Sequence, residues 1–233
     1  MNQFIQISDC HIDDIEQCMG VNSQQNLTRV IDEIALLESD ALLISGDLTH
    51  NGTLTSYKIL KQLLSPVQSD IFVIGGNHDS DNITAIFDDC LFKKISLGTW
   101  DIISVNSVQA NKTSGFLPKN TLIKLDTQLN NSSAKHILIV LHHPIVPMKS
   151  TWDDTLSLEN PEDLFTILAK HDKIQAVLFG HAHESAEFEK DGLKIIACPS
   201  TAVQFTDEKR IGFNYYTLND DGHLHYETRW ITS

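Results

Sequence analysis

Several features are scarce or missing in this 233-residue sequence. It has no run of about 18 or more apolar residues, which is the length that a membrane-spanning helix needs. Its first residues, Met1–Phe4, lack the basic start and apolar stretch of a secretory signal. Internal repeats, low-complexity tracts and linkers are also missing. We therefore expect a single domain over residues 1–233, located in the cytoplasm and not inserted in a membrane.

Basic residues are few: 17 Lys and Arg stand against 31 Asp and Glu, which gives a formal net charge of −14. Binding to nucleic acid or to an anionic membrane requires clustered Lys and Arg, so neither is an expected partner. An anionic small molecule could bind only where positive charge is concentrated locally. Bound metal ions are the obvious source of such charge.

The four cysteines, Cys10, Cys18, Cys90 and Cys198, are scattered, and none belongs to a C-x-x-C pair. This usage indicates reduced thiols rather than a disulfide framework or a thiolate metal site. The apolar fraction of 41% is large enough to build a core.

Short apolar runs alternate with helix-like segments through about residue 180. The runs predict buried strands at 4–7, 41–44, 71–74, 102–105, 137–141 and 176–179, and the periodic segments predict helices near 24–38, 53–64, 81–89, 118–129 and 161–170. Four strand-like segments then follow one another, at 186–190, 193–197, 213–218 and 223–230, with turn signals at Asp191-Gly192 and Asp221-Gly222. The order predicts an α/β fold in which two mixed β-sheets pack as a sandwich flanked by helices.

Five of the predicted strands run directly into polar clusters. The clusters are Asp9-Cys10-His11, Gly46-Asp47, Gly75-Gly76-Asn77-His78-Asp79, His142-His143-Pro144 and Gly180-His181-Ala182-His183. Each alone is common loop chemistry, but ligand sites of α/β sheets lie at the carboxyl ends of strands, so the whole set predicts one shared crevice. Carboxylate, imidazole and amide groups suit Mn, Fe, Zn or Co.

The ordered set D-x-H, G-D, G-N-H-D, H and G-H-x-H resembles the signature of the calcineurin-like metallophosphoesterase superfamily. The segments 20–22, 141–147 and 198–205 are similar to those of the bacterial class III cyclic-AMP phosphodiesterases, so that the resemblance covers nearly the whole chain. It implies two divalent or trivalent transition-metal ions, Fe and Mn first, with Zn, Co or Mg as alternatives.

The resemblance also implies a role for each matched residue. One metal would bind Asp9, His11 and His183, the other would bind Asn77, His142 and His181, and Asp47 would bind both. Asn77 and His78 would face the phosphate, and Asp47 and His78 would be catalytic. His142 is assigned as the ligand because it directly follows the strand, which leaves His143 as a supporting or phosphate-facing group. Cys10 would pack away from the metals.

The implied reaction is hydrolysis of a phosphodiester, 3′,5′-cyclic AMP to 5′-AMP, by a hydroxide shared between the metals. The alternative is a broad-specificity phosphodiesterase or phosphomonoesterase that acts on another small phosphate ester. A non-catalytic scaffold is a third possibility, and it predicts missing ligands. Cyclic AMP versus cyclic GMP, the identity of the metals and the oligomeric state stay open; a homodimer through the residues after Leu193 is one possibility.

Two further residues have open roles in the sequence. His50 follows Asp47 closely and lies either near the site or on the surface. Trp152 either reaches a nucleobase or serves as a partly buried anchor, which is the commoner role of tryptophan.

Overall fold

The computed structural model describes residues 1–148 and 150–232, except the side chains of residues 151–153. In chain order its elements are β1 (Asn2–Ile7), α1 (Ser23–Ile34), β2 (Ala41–Ser45), α2 (Leu54–Leu63), β3 (Asp70–Ile74), α3 (Asn82–Phe87), a 3-10 turn (Asp88–Cys90), β4 (Lys94–Leu97), β5 (Trp100–Ser104), α4 (Lys119–Asn131), β6 (His136–Val140), α5 (Thr151–Leu156), α6 (Pro161–Leu168), β7 (Ile174–Phe179), β8 (Ala186–Lys190), β9 (Leu193–Ala197), β10 (Ile211–Leu218) and β11 (Leu224–Ile231).

The strands form two mixed sheets. One has the order β11-β10-β1-β2-β3 and the other the order β4-β5-β6-β7-β9-β8. Their facing surfaces enclose an apolar core that includes Phe4, Leu43, Trp100, Leu138 and Tyr216, all fully buried. Because strands in the middle of each sheet are covered on both faces, they are continuous apolar runs rather than alternating ones.

Helices cover the outer face of each sheet. The buried stripe of α1, which contains Leu27, Val30 and Ile31, belongs to one outer core, and each such side chain contributes roughly 1.5–3 kcal/mol when fully buried. The second outer core contains residues of α4 and α6, including Leu125 and Leu164. The layers are therefore helix, sheet, sheet and helix, and the predicted sandwich is confirmed.

The elements that the sequence analysis missed are short. β4 is an edge strand with one buried residue, Ile95, so it carries no apolar run, and it is joined to β5 by a turn in which Gly98 has a φ of +59°. α5 has only six residues, too few to show a helical period. The helix predicted at 24–38 ends at Ile34, with Ala35 as its C-cap.

None of the described helices combines the length and the apolar character that crossing a membrane requires. The four cysteines are free thiols. Cys10 is fully buried in the outer core under α1, as expected, and burial raises the pKa of its thiol to about 12.

Candidate metal centre

The five polar loops lie at one end of the sandwich. β1, β2 and β3 are parallel neighbours in the first sheet, and β6 and β7 are parallel neighbours in the second. Their carboxyl ends therefore point the same way within each sheet, and the loops that follow them meet where the two sheets adjoin. Direct contacts join the sheets here: the amide of His181 donates to Asp9 Oδ2 over 2.9 Å, and His142 Nδ1 donates to the Ser45 carbonyl over 2.9 Å.

The backbone is strained at these loops. Among the described residues, eight that are not glycine have a positive φ, and five of them are predicted metal ligands: Asp9 (54°), His11 (42°), Asp47 (50°), His181 (67°) and His183 (48°). A left-handed conformation costs a non-glycine residue about 1–3 kcal/mol, and such strain concentrates at functional sites. The loops thus hold these side chains in positions that a relaxed backbone would not give.

One group of side chains surrounds a point next to β1. His11 Nε2 lies 3.0 Å from His183 Nε2, and His183 Nε2 lies 3.5 Å from Asp9 Oδ1. His11 Nε2 is also 3.5 Å from Asp47 Oδ2. All four side chains are buried, with exposed fractions of 0–2%. These four donors converge closely enough to bind one ion.

A second group lies beside the first. His142 Nε2 is 3.2 Å from Asn77 Oδ1, 3.3 Å from His181 Nδ1 and 3.4 Å from Asp47 Oδ1. The other three donor atoms of this group thus lie within 3.4 Å of His142 Nε2. Asp47 belongs to both groups, because Oδ2 faces His11 and Oδ1 faces His142.

Hydrogen bonds to backbone carbonyls fix two of the rings. The Nδ1 atoms of His142 and His183 lie 2.9 Å and 2.6 Å from the carbonyl oxygens of Ser45 and Val203. Because a carbonyl only accepts, each Nδ1 carries the proton and donates it, which leaves the Nε2 lone pair facing the cluster. Metal-binding histidines usually show this arrangement.

His143 has a different environment from its neighbour. Its Nδ1 is 2.8 Å from Ser107 Oγ and its Nε2 is 3.1 Å from the Thr113 carbonyl. The ring lies near His142 and His181, close enough for a three-histidine metal group by distance alone, but its hydrogen bonds engage both nitrogens. His143 is fully buried, and its expected role toward the phosphate stays a prediction.

His78 lies at the edge of the cluster. Its amide donates to Asp47 Oδ1 over 2.9 Å, and its Nδ1 donates to the His50 carbonyl over 2.9 Å. The ring lines the cleft, so Nε2 is the atom left for a ligand. His50 lies near the site rather than apart from it: its ring stacks on His78, and its Nδ1 is 3.4 Å from His11 Nδ1.

Asp79 stabilises the loops that follow β2 and β3. Its carboxylate accepts hydrogen bonds from the amides of Leu48 and Gly76 and from the hydroxyl of Tyr57, at 3.1, 2.9 and 2.8 Å. Desolvation, and then the charge of Asp47, raise the pKa of Asp79 to about 6. These bonds tie the loop after β2 to the loop after β3.

The charges and the unpaired polar atoms of the cluster test whether its residues fit metal ions. Burial raises the pKa of Asp9, and its Oδ1 has no hydrogen-bond partner among the described residues. Burial lowers the pKa of His11 well below its ordinary value and that of His181 to about 3, so both are neutral lone-pair donors at pH 7. Unpaired carboxylate oxygen and neutral imidazole nitrogen are the donors that a divalent metal requires, and the residues therefore fit metal ions.

His142 and Asp47 form a buried pair of opposite charge. Burial opposes the charged form of both, but their mutual attraction outweighs it. The pKa of His142 rises to about 9, and the pKa of Asp47 falls well below its ordinary value.

A cleft of about 110 Å³ opens above the cluster. It is lined by His11, Met19, Asp47, Asn77, His78, Thr113, Leu156, His181, His183 and Phe205. The sequence analysis did not identify Met19, Thr113 or Leu156, and it marked Phe205 only as part of the segment 198–205. The side chain of Trp152, considered for a nucleobase, lies outside the described residues.

Comparison with known proteins places the chain in a family. The family model described as calcineurin-like phosphoesterase matches residues 3–185. The chain is 62% identical over 231 residues to a probable cyclic nucleotide phosphodiesterase of Ruthia magnifica subsp. Calyptogena magnifica, covering 99% of both chains. It is 28% identical to the 3′,5′-cyclic adenosine monophosphate phosphodiesterase CpdA of Pseudomonas aeruginosa, covering 94% of this chain and 86% of the relative.

Among solved structures, a dimetal phosphatase from Danio rerio is similar in fold, with a TM-score of 0.79 at 15% identity over 98% of this chain and 96% of the other. At that identity the likeness concerns the fold alone. The extent of the family match and the 62% identical relative establish the family. This chain is a member of the calcineurin-like phosphoesterase family, whose enzymes use divalent metal ions.

Proposed function

We propose that this protein hydrolyses 3′,5′-cyclic AMP to 5′-AMP with two metal ions bound between its sheets. The observation that carries the proposal is the position of Asp47, whose two carboxylate oxygens face two separate groups of donors. A single-metal site would not need that arrangement. The relatives from Ruthia magnifica and Pseudomonas aeruginosa, which are named as cyclic-nucleotide phosphodiesterases, support the choice of substrate.

Each group of donors has its own ion in this proposal. Asp9, His11 and His183 hold one, Asn77, His142 and His181 hold the other, and Asp47 holds both. Two such metals, when bound, supply a nucleophile at neutral pH and stabilise the charge that develops on the phosphate.

Two metal ions held by the buried carboxylates would make the centre attractive to phosphate despite the acidic chain. Two divalent ions against the carboxylates of Asp9 and Asp47 leave a local surplus of about two positive charges. The net charge of −14 is spread over the surface, where salt screens it beyond roughly 8–10 Å. The local charge therefore governs binding.

His78 takes the role of proton donor. The His50 carbonyl holds the proton on Nδ1, so Nε2 is the atom that faces the cleft. When both ring nitrogens are protonated, Nε2 donates its proton to the leaving 3′ oxygen and the ring keeps the proton on Nδ1, a contribution of about 10²–10⁴-fold in rate. Asn77 places its amide at the same side of the cleft and orients the phosphate.

The test is a hydrolysis assay on metal-stripped protein reloaded separately with Mn, Fe, Zn, Co or Mg. The substrates are cyclic AMP, cyclic GMP, an aryl phosphodiester and a phosphomonoester. The proposal predicts that kcat/KM is highest for cyclic AMP and that chelation abolishes it. A preference for the monoester would instead assign the protein as a broad phosphoesterase.

Two variants test in that assay whether activity depends on the proposed metal ligands. His181→Ala removes a proposed ligand and is expected to abolish turnover. His225→Ala removes an exposed histidine of β11 and serves as the matched control, with activity unchanged. Equal activity in the two variants would overturn the assignment of the metal centre.

A further inference from the structure

The cleft above the metal centre has a chemically mixed lining. Histidine, aspartate and asparagine side chains, called its floor below, are joined by the apolar side chains of Met19, Leu156 and Phe205, called its wall. We propose that Met19 and Phe205 bind the nucleobase of the substrate, while the floor binds its phosphate. This inference rests on the proposed function and adds the residues that recognise the part of the substrate that does not react.

Met19 lies in a tight turn. Cys18 and Val21 exchange both backbone hydrogen bonds, at 2.9 and 3.0 Å, around Met19 and Gly20. Both central residues have a positive φ, 51° and 77°, which is the type I′ turn. Glycine accepts that conformation freely, but for a long side chain such as methionine it is a rare and costly one. Glycine at position 19 would form the same turn without strain, so the turn itself does not require methionine. We therefore attribute the presence of methionine to a role of its side chain.

Phe205 is fixed in place by His183. Its amide donates to the His183 carbonyl over 3.2 Å, and its ring stacks on the His183 imidazole with centroids 3.9 Å apart and planes 7° from parallel. Gln204, the preceding residue, is buried and hydrogen-bonded to the backbone of Ser200 at both ends of its amide. Phe205 is nevertheless 46% exposed, so a well-anchored aromatic ring meets solvent at the mouth of the cleft.

The chemistry of the wall favours a planar aromatic ligand. A thioether makes favourable contacts with aromatic rings, and phenylalanine offers the largest apolar contact area of the three wall residues. The cleft of about 110 Å³ is too small to enclose a nucleoside, which leaves part of the substrate at the mouth, where Phe205 is exposed. The wall and the floor border one cleft, which allows a single mononucleotide to reach both.

Binding of products to the metal-loaded protein tests directly whether Met19 and Phe205 contact the nucleobase. Isothermal titration calorimetry compares 5′-AMP, ribose 5-phosphate and inorganic phosphate, which share the phosphate but differ in the base. Phe205→Ala and Met19→Gly are expected to weaken 5′-AMP binding by about 5-fold or more, on the scale of base–aromatic contacts. Both variants should change the binding of ribose 5-phosphate and phosphate by less than about 2-fold.

The Met19→Gly variant separates binding from folding. Glycine relieves the positive φ, so the thermal midpoint should stay the same or rise while 5′-AMP binding weakens. Ile123→Ala is the control, since it truncates a 57% exposed apolar side chain on α4, and it should alter neither quantity.

Three results would overturn the inference. Wild-type protein that binds 5′-AMP no more tightly than ribose 5-phosphate has no base site. Equal weakening of all three ligands by Phe205→Ala means that Phe205 acts only through His183. Unchanged 5′-AMP binding in Met19→Gly removes Met19 from the site. Failure of the proposed function looks different: selective binding of 5′-AMP would persist without turnover of cyclic AMP.

Discussion

Gly76 offers a test of the metal centre that changes no proposed ligand. A β-carbon added at this position would overlap Asp47 Oδ1 and the Asp47 amide nitrogen, and would lie 2.8 Å from His142 Nε2. The obstructing atoms include backbone and a fully packed ring, which cannot swing away as the end of a flexible side chain can. Gly76→Ala therefore forces apart the residues on which both groups of donors depend.

The size of the effect follows from the crowding. Overpacking of a buried site costs about 1–3 kcal/mol in the free energy of unfolding. For a chain of this length each kcal/mol lowers the thermal midpoint by roughly 2–4 °C, so we expect a fall of about 2–12 °C. Displacement of Asp47 should also reduce the bound metal well below the wild-type content.

Gly75→Ala is the matched control, because it lies one residue earlier in the same loop. There an added β-carbon would meet its nearest neighbour, Asp79 Cβ, at 3.8 Å, which is ordinary contact. Calorimetry and metal analysis of both variants make the comparison. If Gly76→Ala matches Gly75→Ala in midpoint and in metal content, the described packing of Asp47 against His142 is wrong.

Three further predictions concern other groups. His78→Ala should keep the wild-type metal content and lower kcat by about 10²–10⁴-fold, as read by metal analysis and steady-state kinetics; loss of metal would make His78 a ligand. Burial opposes the charged form of Asp101, but hydrogen bonds led by Ser132 outweigh it and hold the pKa of Asp101 below its ordinary value. Asp101→Asn should then cost about 1–3 kcal/mol of unfolding free energy at pH 7, and chemical denaturation should show the difference shrinking as the pH falls below about 4; a constant difference would contradict this. Burial raises the pKa of Cys10 to about 12 and that of Cys198 well above its ordinary value, so a thiol reagent at pH 8 should leave both unmodified until the protein unfolds.

Much of the architecture could be predicted from local pattern. The buried strands are continuous apolar runs, such as 137–141, and the polar residues that end them are close in sequence to the strands that position them. Adjacent parallel strands then place those loops together without any knowledge of distant contacts. The predicted convergence of five loops needed only that rule.

What could not be predicted depends on contacts between distant segments. Whether His142 or His143 faces the cluster is set by partners from other loops, Ser45 for the first and Ser107 and Thr113 for the second. The position of Met19 depends on a turn in the left-handed conformation, and a hydrophobicity pattern does not predict such a turn. The edge strand β4 is defined by its pairing with β5 and not by its own composition.

The most direct test of the account is the metal content of wild-type protein and of Asp47→Asn, measured together with cyclic AMP turnover. Asparagine tolerates the left-handed backbone at this position, so the variant removes the charge of the carboxylate and leaves its shape. We predict two ions per chain in the wild type, and in Asp47→Asn a loss of bound metal together with loss of turnover. An Asp47→Asn protein that keeps both ions and hydrolyses cyclic AMP at the wild-type rate would contradict the claim that one carboxylate joins the two sites.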